Sequence, residues 1–225
     1  MRSEAAGHNI RAIISAGDPK RSLTRFSMRH YDREIFTRNI PLTVSKFVVE
    51  MSVEPEIRKS KREDSTAIEL LYPIAFSDED LVPLVRDLLN DPEVALSLVA
   101  TVDMQIVGHV IFTKCGVAGN SANVALLAPL AVDPAWQRQG IGSAIVRAGL
   151  RQLEDAGVSL VCVLGDPNYY GRLGFAPETL IEPPYPLPPE WRGAWQSIIF
   201  GGATEHAAGV LSVPPEWRKR PLWAP

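Results

Sequence analysis

Residues 123–164 read as a strand, a long helix and a second strand, and no other pattern in the chain constrains the fold as much. NVALLAPLAV, residues 123–132, is apolar and β-prone. Over Gln139–Ala156, residues Ile141, Ile145, Val146, Ala148, Leu150 and Leu153 recur as one broad apolar helix face, and Gly157 suits the stop. Residues 158–164, VSLVCVL, are nearly all apolar, as in a strand covered on both faces. Two strands joined by such a helix lie parallel, as a right-handed βαβ unit. Pro129 cannot donate to a ladder, so it marks an edge, a bulge or a point where the sheet opens.

Upstream, Val53–Lys59 predicts a first strand. Ser65–Phe76 predicts a helix, and Asp78–Leu89 a second one with Asp78 as its N-cap. Val94–Val102 and Ile106–Thr113 flank a turn at Asp103-Met104-Gln105 and predict a hairpin, followed by a loop over Ala118–Ala122. Ala194–Phe200 is one more strand candidate. Residues 177–225 hold 10 of the 19 prolines, and Trp191, Trp195, Trp217 and Trp223 there need apolar cover. The expected division is a basic N-terminal extension over 1–50, a domain over 51–200, and a Pro/Trp-rich segment over 201–225 packed on the domain.

Charge supports that division. Residues 1–47 carry nine Lys and Arg against four Asp and Glu, a net of +5, while residues 48–225 net −8. The extension shows little periodicity beyond a short strand candidate at Thr43–Val49. It reads as a tail, with a targeting presequence, a nucleic-acid arm, or a start codon misplaced upstream of Met28 or Met51 as alternatives. The whole chain, at −3, has no nucleic-acid footprint. Its apolar runs fall far short of the ~20 residues of a membrane helix. No signal peptide is legible, and two cysteines, Cys115 and Cys162, form no disulfide framework, so a cytoplasmic setting is expected. The four histidines have no metal-ligand spacing, and no metal is expected.

Chemistry concentrates at 133–143, DPAWQRQGIGS, between strand and helix. Gly140 and Gly142 allow a tight turn and a close ligand approach. The first helical N–H groups have no internal partners, and the helix dipole favours an anion in front of them. Arg138 can add a charge-assisted contact. A dinucleotide fingerprint fails because Ile145 replaces its third glycine, and no Walker motif is present.

QRQGIG, set between strand and helix, resembles the acetyl-CoA motif of the GNAT superfamily of N-acetyltransferases. GDPNYYGRLGF at 165–175 resembles that family's following motif, with Tyr170 five residues before the phenylalanine of GF. The element order over residues 53–200 is also similar, and the two motifs together are most like the YhbS-like subgroup of predicted acetyltransferases. The resemblance implies an α/β (α+β) GNAT-type fold. Its central mixed sheet has an antiparallel N-terminal hairpin and a parallel βαβ unit that splays to hold acetyl-CoA.

It further implies that backbone N–H groups of Arg138, Gln139, Gly140, Ile141, Gly142 and Ser143, with Gln137 opening the motif, bind the pyrophosphate. Leu130, Ala131 and Val132 would pair with pantetheine, and Asn168 would add a contact. Tyr170 would be the general acid, arriving protonated because tyrosine titrates near about 10. Some relatives carry a glutamate on the preceding strand; Leu126 stands there, so the base is unassigned. Asp78, Glu79 and Asp80 read as a solvated helix start, His109 as a strand histidine, Cys162 as strand filler, and Tyr169 as a bystander or a backup to Tyr170.

The expected activity is acetyl transfer to a primary amine, on a small molecule or a peptide. A homodimer is compatible with the resemblance. The alternatives are a non-catalytic acyl-CoA-binding or sensing module, and a nucleotide-binding protein using the same loop.

Overall fold

A computed structural model describes residues 54–91, 95–201 and 207–223. The readings of the N-terminal tail, and the start of the first strand at Val53, lie outside them. Among the described residues the strands are β1 (Glu56–Lys59), β2 (Ala95–Val102), β3 (Gln105–Val117), β4 (Asn120–Val132), β5 (Leu160–Leu164), β6 (Ala176–Pro177), β7 (Ile181–Glu182), β8 (Trp195–Ile199) and β9 (Gly209–Ser212). The helices are α1 (Ser65–Ala75), α2 (Val82–Leu89), α3 (Ile141–Asp155) and the single turn α4 (Pro167–Tyr170).

The main sheet runs β1-β2-β3-β4-β5-β8-β6, with β9 on the far end of β3. Neighbours are antiparallel except β4 and β5, which are parallel as the βαβ pattern requires. Strand alternation divides the core in two. Val99, Ile111, Leu126 and Cys162 face α1 and α2, while Val110, Phe112, Leu127 and Val161 face α3 and α4.

Two expectations move. The second helix begins at Val82, with Leu81 as N-cap, because Pro83 takes the first turn and the Asp80 carboxylate accepts the Val82 N–H at 3.1 Å; Asp78 caps nothing. The predicted loop 118–122 is only a tight turn at Ala118-Gly119, and β3 and β4 extend through it as one long hairpin.

Pro129 does two things. It shifts the β3–β4 register, so that Val110 faces Leu130 while Phe112 faces Leu127, one extra residue on β4. It also lies beyond the last rung shared with β5. The β4–β5 ladder runs from Val124–Leu160 to Leu126–Cys162 and ends there. Past it, β4 stays with β3, and Val163 and Leu164 of β5 pair with Gln196 and Trp195 of β8. The sheet therefore opens between β4 and β5.

The C-terminal tryptophans are buried. Trp223 makes edge contacts with Trp195 and Trp217, each at 6.1 Å between ring centres. Their indole N–H groups donate to Trp217 O (from Trp223), Thr113 Oγ1 (from Trp217) and Ile181 O (from Trp195).

α3 sits close on the sheet because Gly149 has no side chain: a Cβ there would clash with the edge of the Phe112 ring. Gly149→Ala should cost about 1–3 kcal/mol by overpacking, although alanine is the better helix former by about 1 kcal/mol. Urea denaturation reads this, and adding Phe112→Leu should recover part of the loss; an unchanged midpoint in Gly149→Ala would count against the close contact.

Candidate functional site

The start of α3 is built by backbone strain and a glutamine strut. Arg138 at φ 61° and Gly140 at φ 86° both take the left-handed conformation that reverses the chain after β4. For arginine this costs of order 1 kcal/mol, the kind of local strain that gathers at ligand sites. The Gln137 side chain donates to Val132 O at 2.9 Å and ties the loop to the end of β4. No side chain caps α3, whose ladder opens with the Ala144 N–H on Gly140 O at 2.9 Å. The preceding N–H groups thus head a 15-residue helix with its positive dipole end uncapped.

In front of them lies a cavity of about 350 Å³. Seven of the residues singled out from sequence border it. Leu130 and Val132 form one wall; Gln137, Arg138, Gly140, Gly142 and Ser143 form the loop side. Four others do not. Ala131 points the other way along β4 and is buried opposite His109. The Ile141 side chain packs in the core, Gln139 is exposed and donates to Ala135 O at 3.1 Å, and Asn168 is turned onto the Asp166 carboxylate through both its N–H and its amide.

Two bordering residues were missed, Tyr169 and Arg172. The Tyr169 hydroxyl rests against the first turn of α3, where a Cβ on Gly142 would stand 2.6 Å from it. That contact explains the second glycine of QRQGIG. Arg172 lies over the Tyr169 ring at 5.7 Å. The cavity border carries two arginines and no acid.

Tyr170 is fully buried, with edge contacts to Tyr169 at 5.0 Å and Phe175 at 5.4 Å. Neither tyrosine hydroxyl has a hydrogen-bond partner. Burial pushes both hydroxyls upward, Tyr170 well above the usual tyrosine range, so both are donors at neutral pH. Ser143 lies near enough to Tyr169 to ease its shift, but outside hydrogen-bond geometry.

Orphaned buried donors beside an uncapped helix start and two guanidinium groups fit a polyanionic ligand. The comparisons name one family. The Acetyltransferase (GNAT) family profile matches residues 61–175. The chain belongs to that family. As a GNAT member it is an acyltransferase. The uncharacterized N-acetyltransferase YjhQ of Escherichia coli (strain K12) is 36% identical over 141 residues, 60% of this chain and 78% of that protein. YhbS of the same strain is 38% identical over 113 residues, 50% of this chain and 68% of its own length. The crystal structure of E. coli YhbS in complex with CoA has a TM-score of 0.68 at 30% identity, covering 74% of this chain and 93% of that one. A GNAT acetyltransferase from Brucella melitensis, in complex with acetyl-CoA, gives 0.58 at 29% identity, covering 73% and 98%.

The remaining candidates sit apart from the cavity. Leu126 is a core residue. Asp78 accepts from Ser77 Oγ at 3.1 Å, while Glu79 is half-buried with one carboxylate oxygen unpartnered, and burial raises its carboxyl above the usual range. None of Asp78, Glu79 and Asp80 borders the cavity. Both cysteines are buried, Cys115 pushed up to about 12 and Cys162 well above its ordinary value, which removes any thiolate nucleophile at neutral pH. No metal-binding group of three occurs among the described residues, and no described helix is long and apolar enough to cross a membrane.

His109 is wholly buried on β3, bonded to Tyr72 Oη and Ser97 Oγ at 2.8 Å each, and Ser97 meets Ser60 Oγ at 2.7 Å. Burial lowers its pKa from 6.5 to about 3, so the folded ring stays neutral. The unfolded chain binds this proton below pH 6.5 and the folded chain does not, so stability falls as pH drops. The contribution of this residue should be about 1.4 kcal/mol per pH unit from pH 6.5 downward. Urea titrations at pH 7, 6 and 5 should show that extra slope in the wild type relative to His109→Gln; parallel slopes would refute it.

Proposed function

We propose that the chain is an acetyl-CoA-dependent N-acetyltransferase that passes the acetyl group directly to a primary amine. The observation that carries this is the joint placement of the uncapped α3 start, Arg138 and Arg172 around one cavity, beside the edges where β4 and β5 part. The backbone N–H groups of residues 138–143 hold the pyrophosphate. The β4 edge at Leu130, Ala131 and Val132 offers ladder positions to the pantetheine amides, and Asn168 would have to leave Asp166 to contribute.

In the reaction the amine nitrogen forms a bond to the acetyl carbon, the carbon–sulfur bond breaks, and the amine loses a proton. Tyr170 donates to the departing sulfur; its hydroxyl is enclosed and off the cavity border, so the thioester end of the cosubstrate would have to open a way to it. The burial that raises its hydroxyl would raise a thiolate departing beside it as well, which keeps the two matched for proton sharing. A lysine-like amine is neutral in only about 1 molecule of 2,500 at pH 7, a cost of about 4–5 kcal/mol that a base or a water chain must offset. The acidic body of the chain, −8 over residues 48–225, steers toward a cationic acceptor. We place the reaction in the cytoplasm, where two buried, unpaired thiols are at home.

Calorimetric titration should give micromolar binding of acetyl-CoA and none of NAD; the reverse would overturn the proposal. In an amine screen read by thiol release, Tyr170→Phe should lower turnover by about 10²–10⁴-fold while acetyl-CoA affinity stays within twofold. Unchanged turnover removes Tyr170 as the acid. Tight acetyl-CoA binding with no thiol release for any amine would favour the acyl-CoA-binding module.

A further inference from the structure

The two adjacent tyrosines of α4 are not equivalent. Tyr170 is enclosed and does not border this cavity, whereas Tyr169 borders it and sets its hydroxyl against Gly142 in the first turn of α3. Tyr169 is 8% exposed, so the hydroxyl is desolvated, and it has no partner to compensate. A buried donor left unmade costs free energy, so its retention at a ligand cavity points to a partner that arrives with the ligand. Its direction is set from three sides. Tyr170 packs edge-on at 5.0 Å, Gly142 fits under the hydroxyl, and Arg172 covers the ring face at 5.7 Å. These contacts hold the ring with its hydroxyl beside Gly142 in the first turn of α3.

We propose that Tyr169 is a cosubstrate-binding residue that donates to an anionic oxygen of the cosubstrate's pyrophosphate, with Arg172 as its charged companion on the same cavity border as Arg138. This rests on the acetyl-CoA reading above and deepens it. The pyrophosphate is then gripped by two separate chain segments. The loop before α3 supplies backbone donors and Arg138, and the α4 turn supplies one rigid hydroxyl and one guanidinium. The tyrosine pair divides the work: Tyr169 serves binding of the anion, and Tyr170 serves the sulfur.

Phenylalanine substitution tests this, because each ring keeps its packing and loses only the hydroxyl. Wild type, Tyr169→Phe, Tyr170→Phe and Arg172→Gln are titrated with coenzyme A by calorimetry at low and moderate salt. Their ligand-free melting temperatures are compared, and displacement of coenzyme A by inorganic pyrophosphate is followed. Tyr169→Phe should raise Kd by about 10-fold or more, as for a lost hydrogen bond to a charged group. Pyrophosphate should compete at correspondingly higher concentration, and the melting temperature should hold. Arg172→Gln should weaken binding and flatten its salt dependence. Tyr170→Phe should stay within twofold of wild type. Wild-type affinity in Tyr169→Phe overturns the assignment. So does an equal loss in both phenylalanine variants, which would mark a packing effect of the pair. A wild type that binds no coenzyme A instead overturns the acetyl-CoA reading itself, and this assignment with it.

Discussion

The structure depends on a ladder that stops early. β4 and β5 share rungs only from Val124–Leu160 to Leu126–Cys162, and each then follows its other neighbour. Backbone groups inside a sheet are normally paired, because an unpaired buried amide is costly. Here the freed stretch of β4, at Leu130 and Val132, borders the cavity in front of α3. The bulge at Pro129 keeps β4 on β3 while it turns from β5, so the opening needs no loss of order on the closed sides. Everything at the site hangs from these two strands: β4 leads into the loop and α3, and β5 leads into α4 and its tyrosines.

Much of this was legible because it is local. The apolar, β-prone run of β4, the helical stripe of α3 and the apolar run of β5 each specify their own element, and a helix of that length between two strands leaves one handed arrangement. The glycines of QRQGIG announced a special backbone, and Gly140 does take positive φ. Gly142 has a second role beyond a close ligand approach. It serves a contact with Tyr169, 27 residues away in sequence, which spacing cannot show. Similarly, nothing in the chain marks Tyr169 as more than a bystander or backup to Tyr170, and only the packing of that turn against α3 shows that Tyr169 borders the cavity and Tyr170 does not. Arg172 was passed over because its partner in charge, Arg138, belongs to a different segment.

The misplaced start of α2 had a readable signal. Three acids in a row drew attention to Asp78, but Pro83 tolerates only the first turn of a helix, which sets the start at Val82 and leaves Asp80 to bond its N–H. The long β3–β4 hairpin was harder. Its outer end carries Gly119, Asn120 and Ser121, residues that favour turns, and the strand there is held by its partner rather than by propensity.

The tight seat of α3 on Phe112 carries a mechanical consequence. Gly149 lies about 10 Å along the helix from Gly142, at 1.5 Å per residue. It works as a fulcrum, the point about which the whole rod would pivot. A tilt of about 5° there would carry the cavity-facing tip by about 1 Å, a displacement large enough to degrade a positioned site. Interior fit in the middle of this helix and grip at its end are therefore one variable. Sequence drift in the core beneath α3 would be read out at the cavity, with no ligand-contacting residue altered.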